Sequence, residues 1–91
     1  MPHAESAKKR LRQNLKRRLR NKAVKSRLRT ETTKFRRAIE RGDLDGARAQ
    51  LALLVKLLHQ ACVKGVIHSN AASRRQSRLQ GHFNKLAAAR S

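Results

Sequence analysis

Apolar residues recur at helical spacing through most of the chain, but the stripe that they form changes sides once. Leu11, Leu15 and Leu19 step by four and share one face of a helix. At 100° per residue a second stripe lies on nearly the opposite side, and it contains Val24, Leu28, Phe35 and Ile39. β-branched residues are sparse and do not alternate with polar ones, so the pattern gives strands no support. The sequence therefore predicts an all-α protein.

The first predicted helix runs from about Ser6 to Arg41. Ser6 has a side chain suited to an N-cap, and Gly42 suits the left-handed residue that ends a helix. At ~1.5 Å per residue this helix is roughly 50 Å long, which exceeds what a small bundle needs. The second apolar stripe predicts the face that joins a bundle, and the earlier part predicts a basic arm that projects beyond the core.

Two more helices follow. The second begins near Asp43 and ends at Lys64 and Gly65, and the third runs from Ser69 or Asn70 to about Ala89. The second is apolar around most of its circumference, which is typical of the middle of a bundle. Its apolar positions are Leu44, Ala47, Leu51, Leu53, Leu54, Val55, Leu57, Leu58, Ala61 and Cys62. The third contributes Leu79, Phe83 and Leu86.

Short connections make neighbouring helices antiparallel. We therefore predict a three-helix up-down-up bundle with a long, overhanging basic N-terminal helix. It forms a single domain over residues 1–91, in which 6–30 is the basic arm and 31–91 is the bundle.

The distribution of charge indicates that this predicted fold also carries a binding surface. The 91 residues include 24 Lys plus Arg and 5 Asp plus Glu, a formal net charge of +19. The segment from Lys8 to Arg29 holds 12 of these cations and no acidic residue. Such a chain repels itself unless a polyanion neutralises it, and nucleic acid is the commonest polyanion, followed by an anionic membrane surface. A solvated face without a partner is disfavoured, because the arm has no acidic residues to pair with.

The arm therefore forms the first candidate site. Its cations are Lys8, Lys9, Arg10, Arg12, Lys16, Arg17, Arg18, Arg20, Lys22, Lys25, Arg27 and Arg29. Like charges at this spacing oppose helix formation in isolation, whereas phosphates turn them into favourable contacts. We expect the arm to become ordered on binding.

The second candidate site is the segment from Lys64 to Leu79, where a helix ended by glycine leads into the next helix. Backbone N–H groups at a helix N-terminus favour a phosphate, and Arg74, Arg75 and Arg78 follow within two turns. Asn70 or Ser69 could instead serve only as a cap, and the residues alone leave both interpretations open.

Other chemistry finds little support. His3, His59, His68 and His82 lack metal-ligand spacing, and Cys62 is alone, so we expect no metal, no disulfide and no cofactor. Paired carboxylates and glycine-rich phosphate loops are missing, so we predict that the protein is not an enzyme. Two Phe and no Tyr or Trp are too few for a base-stacking platform. The sequence shows neither a signal peptide nor a membrane span, and a reducing cytoplasm suits the free thiol.

At the two candidate sites the chain resembles a known family, the bacterial small-subunit ribosomal proteins S20. The similar segments are Ser6-Ala7-Lys8-Lys9-Arg10, the run from Arg20 to Thr30, Gly42-Asp43, and the run from Lys64 to Leu79. The most specific part is Lys64-Gly65-Val66-Ile67-His68-Ser69-Asn70, with Ser77-Arg78-Leu79 after it. The chain departs from the family where Glu5, Ser69 and Gln76 replace usual basic residues and where Ser73 replaces Ala.

The resemblance implies a bundle that binds directly to small-subunit ribosomal RNA, toward the foot of the particle, and stabilises the RNA fold during assembly. It implies other small-subunit ribosomal proteins as neighbours, and neither a membrane nor a small-molecule substrate as a partner. The RNA-facing residues that it implies are Ser6, Lys8, Lys9, Arg10, Arg12, Lys16, Arg17, Arg18, Arg20, Asn21, Lys22, Lys25, Ser26, Arg27, Arg29, Lys64, His68, Asn70, Arg74, Arg75, Ser77 and Arg78.

Two rival functions remain from the residues alone. A nonspecific DNA-compacting protein predicts similar affinity for duplex DNA and folded RNA, but no helix-turn-helix spacing is evident. A membrane-active amphipathic helix predicts helix formation on anionic vesicles, but the three leucines of the arm make only a thin apolar stripe.

Overall fold

A computed structural model describes the backbone of residues 2–90 and the side chains of residues 5–90. Three helices account for nearly all of it: α1 (Pro2–Glu40), α2 (Leu44–Val63) and α3 (Ser69–Arg90). No strand occurs within 2–90. α2 packs against both other helices, whereas α1 and α3 touch each other at few points. The predicted all-α class and three-helix bundle are confirmed.

α1 begins earlier than predicted. Ser6 is not an N-cap, because the helix already starts at Pro2 and Ser6 lies inside it. Proline is favoured at the first helical position, where its missing N–H would have no helical partner and its fixed φ suits the helix. Glu5 lies in the first turn, where its negative charge interacts favourably with the helix dipole.

Both predicted glycine stops are confirmed. Gly42 has a φ of 69° and Gly65 a φ of 75°. This is the left-handed backbone conformation, which residues with a Cβ rarely adopt. After Gly42 the N–H of Asp43 donates to the carbonyl of Ala38 at 2.9 Å, which satisfies a carbonyl at the end of α1. The side chain of Asp43 then accepts from the N–H of Gly46 at 3.0 Å and caps α2, which begins next to Asp43 as predicted.

The core surrounds α2, which contributes more buried side chains than the other two helices. Leu54 is fully buried and Phe35 from α1 is 1% exposed. α3 adds one buried residue, Leu79, with Phe83 and Leu86 half-buried beside it. The complete buried cluster is Leu28, Phe35, Ala38, Ala47, Leu51, Leu54, Leu57, Leu58, Ala61 and Leu79. α3 is therefore attached by a narrower apolar contact than α1.

The stripe of α1 that faces the core contains a charged residue that the apolar pattern did not include. Glu31 lies between Leu28 and Phe35 on this stripe and is 9% exposed. The amide of Gln50 on α2 donates to the carboxylate of Glu31 and, at 3.0 Å, to its backbone carbonyl. A buried carboxylate is tolerated here because a partner on the neighbouring helix satisfies its oxygen.

Candidate nucleic-acid interface

The N-terminal part of α1 leaves the bundle as a bare helix. Every described side chain from Glu5 to Arg20 is exposed, and burial begins with Asn21 and Val24. The leucines of the first stripe are exposed too, at 69% for Leu11, 55% for Leu15 and 58% for Leu19. The phase break in the sequence thus corresponds to the point at which α1 passes from solvent into the bundle.

All predicted site residues of the arm are solvent-exposed except Asn21, which is half-buried. The carboxamide oxygen of Asn21 is inaccessible to solvent and has no hydrogen-bond partner among residues 5–90. A shallow depression surrounds it on the surface of α1. Its lining consists of Asn14, Arg17, Arg18, Asn21, Lys22, Lys25, Ser26 and Arg29. Asn14 is the member that sequence reasoning missed, although its spacing of seven from Asn21 places the two on one helix face.

One contact ties the arm to the second candidate site. The guanidinium of Arg20 donates to the backbone carbonyl of Lys64 at 3.4 Å, at the C-terminal end of α2. An arginine there interacts favourably with the negative end of the helix dipole. The contact brings the base of the arm beside the connection between α2 and α3, so the two basic segments of the sequence adjoin in the fold.

At the start of α3 the cap differs from the two residues considered in the sequence. His68 is the capping residue: its Nδ1 accepts from the N–H of Asn70 at 3.1 Å, and its carbonyl accepts from the N–H of Ala72 at 3.0 Å. Ser69 and Asn70 are therefore the first residues of the helix and not its cap. Their exposed side chains are available to a ligand, as are those of Arg74, Arg75, Ser77 and Arg78.

A groove between α1 and α3 brings members of both candidate sites together. Lys25 and Arg29 line it from α1, and Arg75 and Arg78 line it from α3. Arg36, Thr32, Thr33 and His82 also line it and were not predicted as site residues. Arg36 follows Arg29 by seven residues, a spacing that repeats on one helix face and could have identified it. The arm residues before Lys25 do not line this groove.

Acidic residues do little to neutralise these cations. The ion pairs within residues 5–90 are Lys34–Glu31 at 3.4 Å and Arg48–Asp45 at 3.6 Å, and neither includes a predicted site residue. The hydrogen bond from Gln50 lowers the pKa of Glu31 most, against the raising effect of its burial, and Lys34 and Arg27 lower the pKa further. The one carboxylate buried among the helices is thus committed to the bundle, and the arm keeps its full positive charge.

The described part of the chain offers neither a metal site nor a membrane span. No three His, Cys, Asp or Glu side chains among those residues lie together in a way that could bind a metal ion. Over the same stretch, no helix combines the length and apolar character that crossing a membrane requires.

Fold and surface together define a small, all-helical, strongly cationic protein whose charge is concentrated on one projecting helix and one inter-helix groove. The family model for Ribosomal protein S20 matches residues 2–84. The chain belongs to this family.

Relatives agree along nearly the whole chain, and each is called small ribosomal subunit protein bS20. The protein from Corynebacterium glutamicum (strain R) is 48% identical over 86 residues, which cover 94% of this chain and 99% of the relative. The Aquifex aeolicus protein is 45% identical over 85 residues, covering 93% and 90%. The Natranaerobius thermophilus protein is 45% identical over 87 residues, covering 96% and 99%. The family resemblance found in the sequence is confirmed, and this is a ribosomal structural protein and not an enzyme.

Proposed function

We propose that this protein is a structural component of the bacterial small ribosomal subunit that binds directly to small-subunit ribosomal RNA and stabilises its fold during assembly. It would act in the cytoplasm, inside the ribosome, with other small-subunit proteins as neighbours. Membership of the family supports the assignment to the small ribosomal subunit. The single observation that supports direct RNA binding is the arm, whose 12 cations between Lys8 and Arg29 lie on an exposed helix without a paired carboxylate.

The mechanism is electrostatic. RNA segments that fold together repel one another through their phosphates, and a cationic helix between them screens that repulsion. Each Lys or Arg that neutralises a phosphate also releases a condensed counterion. Arginines can donate two parallel hydrogen bonds to phosphate oxygens, which fixes geometry as well as charge. The apolar bundle gives the arm its direction relative to the rest of the protein.

The start of α3 supplies the second proposed contact. Its first N–H groups carry the positive end of the helix dipole, and Arg74, Arg75 and Arg78 add three exposed guanidinium groups within the first turns. Arg20 bonds to Lys64 and holds the arm next to this helix end. Contacts from both segments to neighbouring phosphates would therefore fix the orientation of the protein on the RNA, and not only its affinity.

The first experiment asks where the protein resides. Cell lysate is sedimented through a sucrose gradient at low and then at high salt, and fractions are probed for this protein. We expect it to travel with the small subunit until the salt becomes stringent. Migration with chromosomal DNA, with membranes, or at the top of the gradient at low salt would contradict the proposal and favour the corresponding rival function.

A binding experiment then tests the arm. Purified protein is titrated against a small-subunit ribosomal RNA transcript and against duplex DNA at several salt concentrations. If about ten phosphates are contacted, log affinity for RNA falls against log salt with a slope of roughly −7 to −9. Equal affinity for duplex DNA would support nonspecific DNA compaction instead.

Charge alone is controlled by a matched pair of triple variants. K16Q/R17Q/R18Q removes three arm cations, and R37Q/K56Q/K85Q removes three exposed cations outside both candidate sites. The net charge falls equally in the two variants. We expect the arm variant to weaken RNA binding by at least tenfold more than the control and to flatten its salt slope by about 2 to 3. Equal losses would mean that net charge, and not the arm, governs binding.

A further inference from the structure

The groove between α1 and α3 is a consequence of how the three helices pack. α2 packs against both other helices and forms the floor with Leu54 and Leu58, while α1 and α3 touch at few points and form the walls. The groove encloses about 590 Å³, within the range of sites that bind organic ligands and far more than one ion requires. Residues almost fifty positions apart in the sequence face each other across it.

Each wall carries a row of cations. Lys25, Arg29 and Arg36 lie on one face of α1 at steps of four and seven, and Arg75 and Arg78 lie three apart on α3. The α1 row extends over about 16 Å at ~1.5 Å per residue. The up-down-up topology makes α1 and α3 point the same way, so the two rows run side by side. At an axial rise of ~3.4 Å per phosphate of one strand, this length corresponds to about five phosphates.

The charges in the groove are almost all of one sign. None of its five Lys and Arg side chains forms an ion pair among the described residues. Glu40 lines the groove as its one carboxylate and lies at the C-terminal end of α1. Two cation rows that face each other repel, and this repulsion is relieved when an anion lies between them. An extended polyanion fits this arrangement better than a compact one.

The surface of the groove also argues against a protein helix as its occupant. Helix-in-groove docking needs an exposed apolar floor. Leu54, Leu58 and Phe35 all line this groove, yet they are 0%, 3% and 1% exposed, because they are already used in the bundle core. Every exposed residue of the lining has a polar or charged side chain, and its apolar residues are buried or half-buried. Thr33 is exposed there and donates its hydroxyl proton to the carbonyl of Arg29 at 3.0 Å, which leaves its oxygen free to accept from a ribose 2′-hydroxyl.

We propose that the groove between α1 and α3 holds one backbone strand of ribosomal RNA, with consecutive phosphates between Lys25, Arg29 and Arg36 on one side and Arg75 and Arg78 on the other. This inference rests on the proposed RNA-binding function and adds a second site to it. The arm presents cations on a single helix, whereas the groove needs α1 and α3 held in register. Groove binding therefore depends on the folded bundle, and Arg36 becomes an RNA contact.

Photo-crosslinking identifies the occupant. p-Benzoylphenylalanine replaces Thr33 in the groove of the full-length protein, or Ala52 on the exposed side of α2 as a control, and small subunits are reconstituted and irradiated. We expect Thr33 to crosslink to ribosomal RNA and Ala52 to give at least tenfold less RNA adduct. An adduct to a ribosomal protein from Thr33, or equal RNA adducts from both positions, would overturn the proposal. Circular dichroism of both variants checks that the bundle is folded.

Binding affinity provides a second readout. R75Q/R78Q removes the α3 row, and K56Q/K85Q removes two exposed cations outside the groove with the same change in net charge. We expect R75Q/R78Q to raise Kd for the ribosomal RNA transcript roughly 10- to 100-fold and to flatten the salt slope by about 1.5 to 2, against less than threefold for the control.

A double-mutant cycle with one residue from each wall tests whether both walls bind the same RNA strand. When R29Q and R75Q are combined, the second substitution should cost several-fold less than it does alone, because the strand has already been released from one wall. Strictly multiplicative losses, or an R75Q/R78Q variant that binds like K56Q/K85Q, would overturn the groove. If the arm variant K16Q/R17Q/R18Q still loses affinity in that case, the proposed function stands and only the groove fails. If the wild-type protein does not bind the transcript at all, both the proposed function and the groove proposal are contradicted.

Discussion

The division of the molecule into a core-bearing bundle and a free arm makes a strong prediction about two chemically identical substitutions. Leu54→Ala removes three carbon atoms from a side chain that is 0% exposed, between α1 and α3. Leu11→Ala removes the same atoms from a side chain that is 69% exposed on the arm. The difference between the two variants isolates burial, since the chemistry and the helical setting are shared.

The expected magnitudes follow from packing. Leu→Ala at a fully buried position costs about 3 to 5 kcal/mol, from lost transfer free energy and from the cavity that remains. At an exposed position the cost stays within about 0.5 kcal/mol, and the higher helix propensity of Ala can offset it. A domain of this length has a free energy of unfolding of roughly 5 to 14 kcal/mol. Leu54→Ala should thus remove a large part of the stability of the bundle.

Urea unfolding followed by circular dichroism measures both variants, in enough salt to screen the charge of the protein. With a slope near 1 kcal/mol per molar urea, Leu54→Ala lowers the midpoint by about 3 to 5 M or leaves no folded baseline, and Leu11→Ala leaves the midpoint within about 0.5 M. A large loss from Leu11→Ala would show that the arm packs on the bundle and would refute the division. A small loss from Leu54→Ala would refute the placement of Leu54 in the packed core.

Three further expectations concern local features. Gly81→Ala should stabilise the protein by about 1 kcal/mol in thermal unfolding, since its helical site has open space for a Cβ, whereas Gly42→Ala should destabilise it by about 1 to 2 kcal/mol because its φ is 69°. Because the folded-state pKa of Glu31 is lowered, its charged form stabilises the fold above the unfolded-state pKa, and the advantage in melting temperature over E31Q should fade as pH drops through the lowered value; a constant difference would contradict this. Amide exchange in residues 8–20 should be fast in the free protein and slow on RNA, and equal protection in both states would show a preformed arm.

The sequence predicted those features of the fold that depend on neighbours along the chain. The phase break between Leu19 and Val24 marks where α1 enters the bundle. The apolar stripe before the break is exposed, and only the stripe after it packs against the other helices. Gly42 and Gly65 mark helix ends because a left-handed residue needs no distant partner to favour glycine. Both signals depend only on neighbouring residues and can therefore be recognised from the sequence.

The features that escaped prediction depend on partners that are distant in the sequence or on competing local choices. Glu31 resembles a solvated charge until Gln50, 19 residues away, is brought against it. Ser6 has the side chain of a cap, but Pro2 and Glu5 favour an earlier start. His68 caps α3 through an imidazole nitrogen, a group outside the usual set of Ser, Thr, Asp and Asn.

The candidate site divides in the same way. The arm cations could be identified from composition, since half of all Lys and Arg fall between Lys8 and Arg29. The groove could not, because its walls meet only after α2 has placed α3 beside α1. Arg36 was therefore not among the predicted site residues. Periodicity finds which residues share a helix face, but the facing of two helices is a property of the packed core.

Folding and RNA binding are consequently linked, and the linkage has a measurable size. A ligand at a hundred times its Kd stabilises the state that binds it by about 2.7 kcal/mol, provided that the unfolded chain does not bind. That figure is close to the lower end of the loss expected from Leu54→Ala, so RNA should restore much of the stability that the variant lacks. The unfolded chain keeps its +19 charge and also binds RNA, which reduces the restoration. Binding through the arm alone would give no restoration, because the arm is exposed in both states. Restoration in Leu54→Ala that disappears in Leu54→Ala combined with R75Q/R78Q would therefore separate the fold-dependent groove from the fold-independent arm.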